Sequence, residues 1–374
     1  MKKILVLILC LMLACGGAIA ENQTAPAPGE KLGLNLLSML HVTGENTILS
    51  PQSLTLALGM AAEGAQGNTL EEILAALGVE DASRIAASLP EGLKCANAAF
   101  TAPGLELSAQ YVDRLNALYD AQWFEMDGNV VEKVNAWVRE HTDELIENML
   151  SEAPDPDTGM ILLNAVAMDA AWASPFSPEA TGEEVFHAPG GDVQVQMMHQ
   201  REYFDYAEKD GIQIVRLPYR DSDLEMWIAL PPEGAVFQLL EMLASEGMNV
   251  LRSDVEAREV ALGLPQMDVS DANTLSDALK LLGVETAFSD AADFSGMSDV
   301  PMCIDEVLQK VRVQVDEDGT RAAAATALIM KTMAMQETES PVEMTVNRPF
   351  VFVIADARTG AVCFAGAIEN PAKN

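Results

Sequence analysis

The side chains best suited to chemistry are few in this chain and poorly spaced for it. Only four histidines occur, His41, His141, His187 and His199, and none stands in an H-E-x-x-H pair. No C-x-x-C, G-x-S-x-G elbow, P-loop or G-x-G-x-x-G is present. The run Asp155-Pro156-Asp157-Thr158-Gly159 offers carboxylates to a cation but lacks the spacing and the distal Glu of an EF-hand loop, so it reads as a connection between a helix and a strand. No enzymatic activity, no metal and no cofactor is expected from this inventory.

The chemistry that stands out is conformational, in the stretch from Val315 to Ala327. Val311, Val313 and Val315 alternate with Arg312 and Gln314, the period-two pattern of a half-buried strand. Asp318-Gly319 in an acidic cluster reads as a turn. Ala322, Ala323, Ala324 and Ala325 then have the highest intrinsic helix propensity of any residue, and a short helix is one reading of the run. Taken alone the run reads first as that helix, but an extended reading is also available. Thr320, Ala322, Ala324 and Thr326 then share one uniformly small face, with Arg321 on the other, and such a segment could slide between two strands without overpacking the layer below. The sequence is compatible with two states.

This stretch resembles the hinge and reactive-centre loop of the serpins, the serine protease inhibitor family. The resemblance extends from about Leu32 to Pro371. It is carried by the block from Asn46 to Ser53 followed by Gly64 to Thr69, by Asn164 to Phe176, by Leu217-Pro218-Tyr219, and by Met226 to Pro231. Ala292 to Gly296, Arg348-Pro349-Phe350 and Thr359 to Gly366 complete the series in the family's order.

The resemblance implies a covalent partnership with a target serine protease. The protease would attack a bond in an exposed loop, about residues 317–345, and form an acyl-enzyme. The hinge, from Glu317 and Gly319 through Thr320, Ala322, Ala323, Ala324, Ala325 and Thr326, would then insert as a new central strand. Family counting places the scissile bond sixteen residues after Glu317, at Met333-Ala334, with Lys331, Met335 and Gln336 as alternatives. A long unbranched Met suits an elastase-, chymotrypsin- or subtilisin-like pocket, whereas a trypsin-like pocket would want Lys331. Ser53 and Asn164 match the polar cluster under the opening strands, and Trp172 the aromatic at its top. Gln309 stands where the family usually has His, so the shutter has a donor and acceptor but no titrating group. Arg321 departs from the acidic residue common there. The alternative on the same fold is a non-inhibitory serpin acting as a carrier or binding module, against which the small hinge residues argue.

The elements that must position these residues read as an α+β domain. Leu54–Glu63 and Leu70–Leu77 have amphipathic helical patterns, the second with Asn68-Thr69 as its cap. Val130 to Leu150 keeps helical spacing until Pro154 and Pro156 stop it. Strand patterns begin at Ile161 and recur at 212–217, 224–230, 260–264 and 351–354. The resemblance implies three β-sheets and about nine helices around an exposed loop, in one domain over 32–374.

Met1-Lys2-Lys3 and the apolar run Ile4–Leu13 form a signal segment over residues 1–20, with cleavage after Ala18-Ile19-Ala20. Release to the exterior by a bacterium is the expectation, with acylation at Cys15 as an alternative that would leave the protein lipid-anchored. Residues 21–31 read as a flexible linker. Cys95, Cys303 and Cys363 remain, an odd set that does not form a disulfide framework, and Cys363 reads as a small buried hydrophobe. The net charge of −35 provides no basic footprint for nucleic acid, and none for anionic membranes or heparin-like chains. It keeps the chain soluble and could steer cationic proteases, and a monomer is expected.

Overall fold

Ser50 opens the element on which the rest of the molecule is stacked. Its hydroxyl accepts from the Ser53 backbone N–H, and Pro51 occupies the first turn, where a missing N–H costs nothing. The computed structural model describes residues 26–85, 93–155, 158–320 and 340–373. The signal segment, Ala322 to Thr326 of the hinge, and Met333-Ala334 with their alternatives lie outside the described residues.

In chain order the elements are α1 (Glu30–Leu40), β1 (Thr47–Leu49), α2 (Pro51–Ala62), α3 (Gly67–Leu77), β2 (Leu93–Thr101), α4 (Ala109–Tyr119), β3 (Ala121–Glu125) and α5 (Val130–His141). β4 (Met160–Met168) and β5 (Ala170–Ala171) follow, then β6 (Gly182–Ala188), β7 (Gly191–Lys209), β8 (Ile212–Pro218) and β9 (Leu224–Leu230). The remainder is α6 (Val236–Glu246), α7 (Asn249–Arg252), β10 (Glu256–Pro265), β11 (Met267–Thr274), α8 (Ser276–Leu281), β12 (Leu308–Val315), β13 (Gly319–Thr320), β14 (Val342–Thr345), β15 (Phe350–Asp356) and β16 (Val362–Ile368). The fold is α+β with three sheets and, among the described residues, eight α-helices, as the resemblance implies.

One sheet has nine strands in the order β1-β16-β15-β9-β8-β7-β10-β14, with β6 on β7. β15 and β16 are buried at every position, which explains sequences that are apolar up to the closing Asp356 of β15. The other ladders are β3-β2-β4 and β11-β12-β13-β5. Because β4 runs on through Asp169 into β5, they form two banks of a split surface that, among the described residues, are joined only at one end. Leu162 and Met160 on β4 pack towards the cluster that contains α2, and Ile161, Leu163 and Ala165 pack with α5. Thus α2 and α5 cover opposite faces, as the alternation of a strand requires.

Four local expectations are corrected. α2 is not amphipathic: every residue from Pro51 to Ala62 except Ala57 is buried, because strands and helices surround it. α3 starts at Gly67 rather than after an Asn68-Thr69 cap, since the Thr69 hydroxyl instead accepts from the Asp293 N–H and Asn68 donates to Glu72. α5 ends at His141 rather than near Leu150. There Thr142 turns its hydroxyl back to the Val138 carbonyl, and Asp143 and Glu144 take left-handed φ values of 48° and 62°. At the other end, α1 begins at Glu30, inside the stretch read as linker, and its buried carboxylate accepts from the Ala27 and Met248 N–H groups.

Candidate functional site

The predicted turn after β12 is built as its sequence demands. Asp316 Oδ1 accepts from the N–H groups of Asp318 and Gly319 at 3.0 and 3.1 Å, and Asp316 N donates to the Gly319 carbonyl at 3.0 Å. Burial pushes the Asp316 carboxyl above its ordinary range against the pull of these donors, with Asp318 and Glu317 adding to the rise. The turn sends the chain back as β13. Thr320 pairs antiparallel with Val315 of β12 on one side and with Ala170 of β5 on the other, and Gly319 pairs with Ala171. Two hinge residues therefore already lie between the two banks.

Gly319 is required there by space. A Cβ on it would lie 2.2 Å from the Ala170 carbonyl oxygen and 2.7 Å from the Ala171 Cα. Thr320 is fully enclosed, and its hydroxyl shares a 2.6 Å hydrogen bond with the Tyr219 phenol. Burial drives that phenol far above its usual range, so it stays neutral.

Trp172 lies against this turn. Its ring stacks on Tyr219 with centroids 4.6 Å apart, its indole N–H donates to the Asp316 carbonyl at 3.0 Å, and its backbone N–H donates to the Asp318 carbonyl at 2.9 Å. Glu317 is clamped from two directions, by the Thr181 hydroxyl at 2.6 Å and the Gln266 amide at 2.7 Å, while its carbonyl accepts from Phe176 N–H. The expected residues Trp172, Glu317, Gly319 and Thr320 thus meet at one end of the split. Tyr219, Thr181 and Gln266 join them without having been singled out as site residues, and Tyr219 was visible only as part of a three-residue block.

Ser53, Asn164 and Gln309 meet further down. All three line a cavity of about 490 Å³ between the two banks, bounded by α2, by the lower half of β4, by residues 302–309 and by residues 149–155. Gln309 is buried and holds Ser50 at both ends of its amide: Oε1 accepts from the Ser50 N–H at 3.0 Å, and Nε2 donates to the Ser50 carbonyl at 2.9 Å. The Ser50 hydroxyl donates to the Cys363 carbonyl at 2.7 Å, so the β12 bank is tied through the start of α2 to strand β16 of the nine-stranded sheet. Across the gap, Asn164 Nδ2 donates to Asn97 Oδ1 at 2.7 Å, and Asn97 Nδ2 donates to the Tyr119 carbonyl at 2.6 Å. Ser50 and Asn97 were missed. Ser50 was legible as a helix cap, whereas nothing in the β2 pattern marks Asn97.

Cys363 is fully buried in β16 as expected, and Cys303 is exposed on the rim of the cavity. The geometry describes a strand-sized opening whose first two rungs are filled by Gly319 and Thr320, with the polar side chains of Ser53, Asn164 and Gln309 along its lower part.

Comparison with known proteins bears on this arrangement directly. The family model described as serpin (serine protease inhibitor) matches residues 28–371. An uncharacterised serpin-like protein of Thermococcus kodakarensis is 33% identical over 375 residues, covering 94% of this chain and 88% of that protein. The native-state structure of tengpin, a thermophilic serpin, superposes with a TM-score of 0.81 at 26% identity over 91% of this chain and 93% of its own. Thyroxine-binding globulin complexed with thyroxine shares the fold at 23% identity and a TM-score of 0.80, over 92% of this chain and 99% of its own. With a split sheet whose two banks are joined by Gly319 and Thr320, and a family model that matches residues 28–371, the chain belongs to the serpin family.

Proposed function

We propose that this protein is an irreversible, suicide-type inhibitor of serine proteases with elastase-, chymotrypsin- or subtilisin-like specificity, cleaved at Met333-Ala334. The observation that supports this most is the position of β13, antiparallel to β12 and β5 at once, above a gap with no ladder across it among the described residues. Continuing that register downwards sets Ala322 opposite Val313 and Met168, Ala324 opposite Val311 and Val166, and Thr326 opposite Gln309 and Asn164. Those β12 partners, Val313, Val311 and Gln309, all point inwards and are buried, so each small hinge residue would enter on the buried face, where a charged or bulky side chain would be costly. Ala323 and Ala325 would take the opposite face, beside Arg312 and Lys310.

The same register accounts for Arg321. It would lie beside Gln314 and directly opposite Asp169, which is exposed, forming a cross-strand pair of opposite charge. The base that departs from the acidic residue common in the family would here face an acid.

The energetics suffice. A strand of about 15 residues spans roughly 50 Å. Roughly ten added ladder bonds at about 1 kcal/mol each rival a typical protein's stability of about 5–15 kcal/mol, enough to deform a protease tethered to the moving loop. The protein would act as a monomer, exported after cleavage behind Ala20 or, alternatively, anchored through an acylated Cys15.

The test is to mix the mature protein with elastase-, chymotrypsin-, subtilisin- and trypsin-like proteases, and to examine products by denaturing gel and intact mass. A covalent complex with a released peptide beginning at Ala334 is the expected result. Loop cleavage by every protease with full protease activity left, and no complex, would move the assignment to a non-inhibitory binding role.

A further inference from the structure

The bank β3-β2-β4 has an open margin on its far side, along β3. This strand is terminal in its ladder and pairs parallel with β2 alone, from Ala121 beside Asn97 to Glu125 beside Thr101. Just past it the Met126 N–H donates to the Thr101 carbonyl at 2.7 Å, which fixes the phase of the pairing. Parallel strands bond through alternate residues, so Gln122 and Phe124, in step with Met126, turn their backbone groups towards β2. Ala121, Trp123 and Glu125 turn theirs outward, and among the described residues no strand meets them.

The side chains along this margin carry their own pattern. Gln122 accepts from the Trp137 indole and Phe124 stacks on Phe100, so both face α5. Ala121, Trp123 and Glu125 share the other face, towards α4. There an opening of about 390 Å³ lies between α4 and β3, with Leu107, Val112, Leu115 and Trp123 in its walls and the exposed Asp120 beside them. The Trp123 indole N–H donates to the buried Thr101 hydroxyl at 3.1 Å, yet the residue is 50% exposed, so a large apolar ring is fixed in place while half of it meets solvent. Charge is one-sided. Residues 106–127 carry the exposed acids Glu106, Asp113, Asp120, Glu125 and Asp127 against a single base, Arg114, which is directed at Glu63. Outward backbone groups beside a fixed aromatic ring are a template for another chain. A second copy of this edge would set the same acids against one another, whereas a basic segment would complement them.

We propose that the outer edge of β3 takes up an extended segment of a partner protein as an added strand, in which one apolar residue has a basic residue two places away on either side. The spacing follows from the strand itself: Ala121, Trp123 and Glu125 share a face at every second position, and so must the residues that meet them. The partner's apolar side chain enters the opening beside Trp123 and Leu115. Its two basic residues fall at the ends of β3, one near Asp120 and one near Glu125. The backbone groups of Ala121, Trp123 and Glu125 supply the hydrogen bonds, and the pattern reads the same in either strand direction.

The probe is a capped nonapeptide with lysine, leucine and lysine two places apart among threonines, titrated into the full mature chain and followed by calorimetry and hydrogen exchange. One peptide should bind per protein. The amides of Ala121, Trp123 and Glu125 should gain protection, while those of Gln122 and Phe124, already bonded to β2, change little. N-methylation of two adjacent central residues blocks both edges of the peptide at unchanged charge and should weaken binding about tenfold or more. Trp123→Ala should weaken it about tenfold. Glu125→Gln, at an exposed position where folding is not at risk, should weaken it about threefold, and only at low salt. Equal binding of the N-methylated peptide would reduce the contact to charge attraction and overturn the proposal, as would binding unaffected by Trp123→Ala or no binding at all. Protection of the same three amides on raising the protein concentration without peptide, together with a doubled mass, would give the edge to a second copy instead. None of these readouts involves a protease, so their failure would leave the inhibitory reading standing.

Discussion

At the scale of single residues, the site depends on a few side chains whose replacement has a definite sign. Gly319→Ala would drive a methyl group into the Ala170 carbonyl, so β13 should detach from β5 and the melting temperature should drop by an amount equivalent to about 1–3 kcal/mol; an unchanged melting curve would contradict the close approach. Gln309→His is informative for a different reason. The amide donates to and accepts from Ser50 at any pH, whereas a buried imidazole can do both only when neutral, so its folded-state pKa would fall below the ordinary value of about 6.5. The variant should match the parent in thermal stability near pH 8 and lose stability progressively below about pH 6.5, a loss the parent does not share at this position. A third residue, Glu63, lies at the end of α2 with 6% of its side chain exposed and Arg114 at 3.4 Å. Burial raises its carboxyl pKa, Arg114 opposes the rise, and Asp81 reinforces it. A carboxyl whose folded pKa is raised favours the fold most at low pH and loses that contribution as the pH climbs through the folded value. Glu63→Gln should therefore stabilise the protein at pH 7–8, with the difference from the parent vanishing near pH 4, as thermal melts across pH would reveal.

Among the elements, what could be read in advance was whatever depended on near neighbours. Val311, Val313 and Val315 announced β12 by alternation, and Asp316 to Gly319 announced the turn, because each is a local hydrogen-bonding or periodic preference. The clamp on Glu317 was not legible, since Thr181 and Gln266 come to it from 136 and 51 residues away and neither belongs to a patterned motif. The end of α5 was misread for a related reason: Leu145 and Met149 keep helical spacing, but the first is simply buried and the second half-buried against the α5 cluster, neither of them helical, and the pattern records burial rather than backbone. The register of β13 yields its own prediction at this scale. Arg321→Glu would place two acids opposite one another with Asp169, so the cleaved, inserted form should lose about 0.2–1 kcal/mol, measured as a lower denaturant midpoint, while the uncleaved form changes little.

For the molecule as a whole, the charge of −35 sets how partners arrive rather than how the fold holds. Association with a basic protease should slow by about tenfold or more between low and high salt, and association with an acidic one should not slow; stopped-flow rates at several ionic strengths would separate the two. The three clusters of buried side chains explain why so acidic a chain can fold without disulfides among its described cysteines. The placement of Gly319 and Thr320 has a kinetic consequence of its own. Starting a new strand inside a sheet is ordinarily the difficult step, because several residues must be fixed before the first favourable contact forms. Here the primer is already annealed in the resting protein. On the proposed mechanism, cutting the loop leaves nothing to nucleate, so growth should begin without a lag, and the contest with hydrolysis of the acyl-enzyme ester would become one of elongation speed alone.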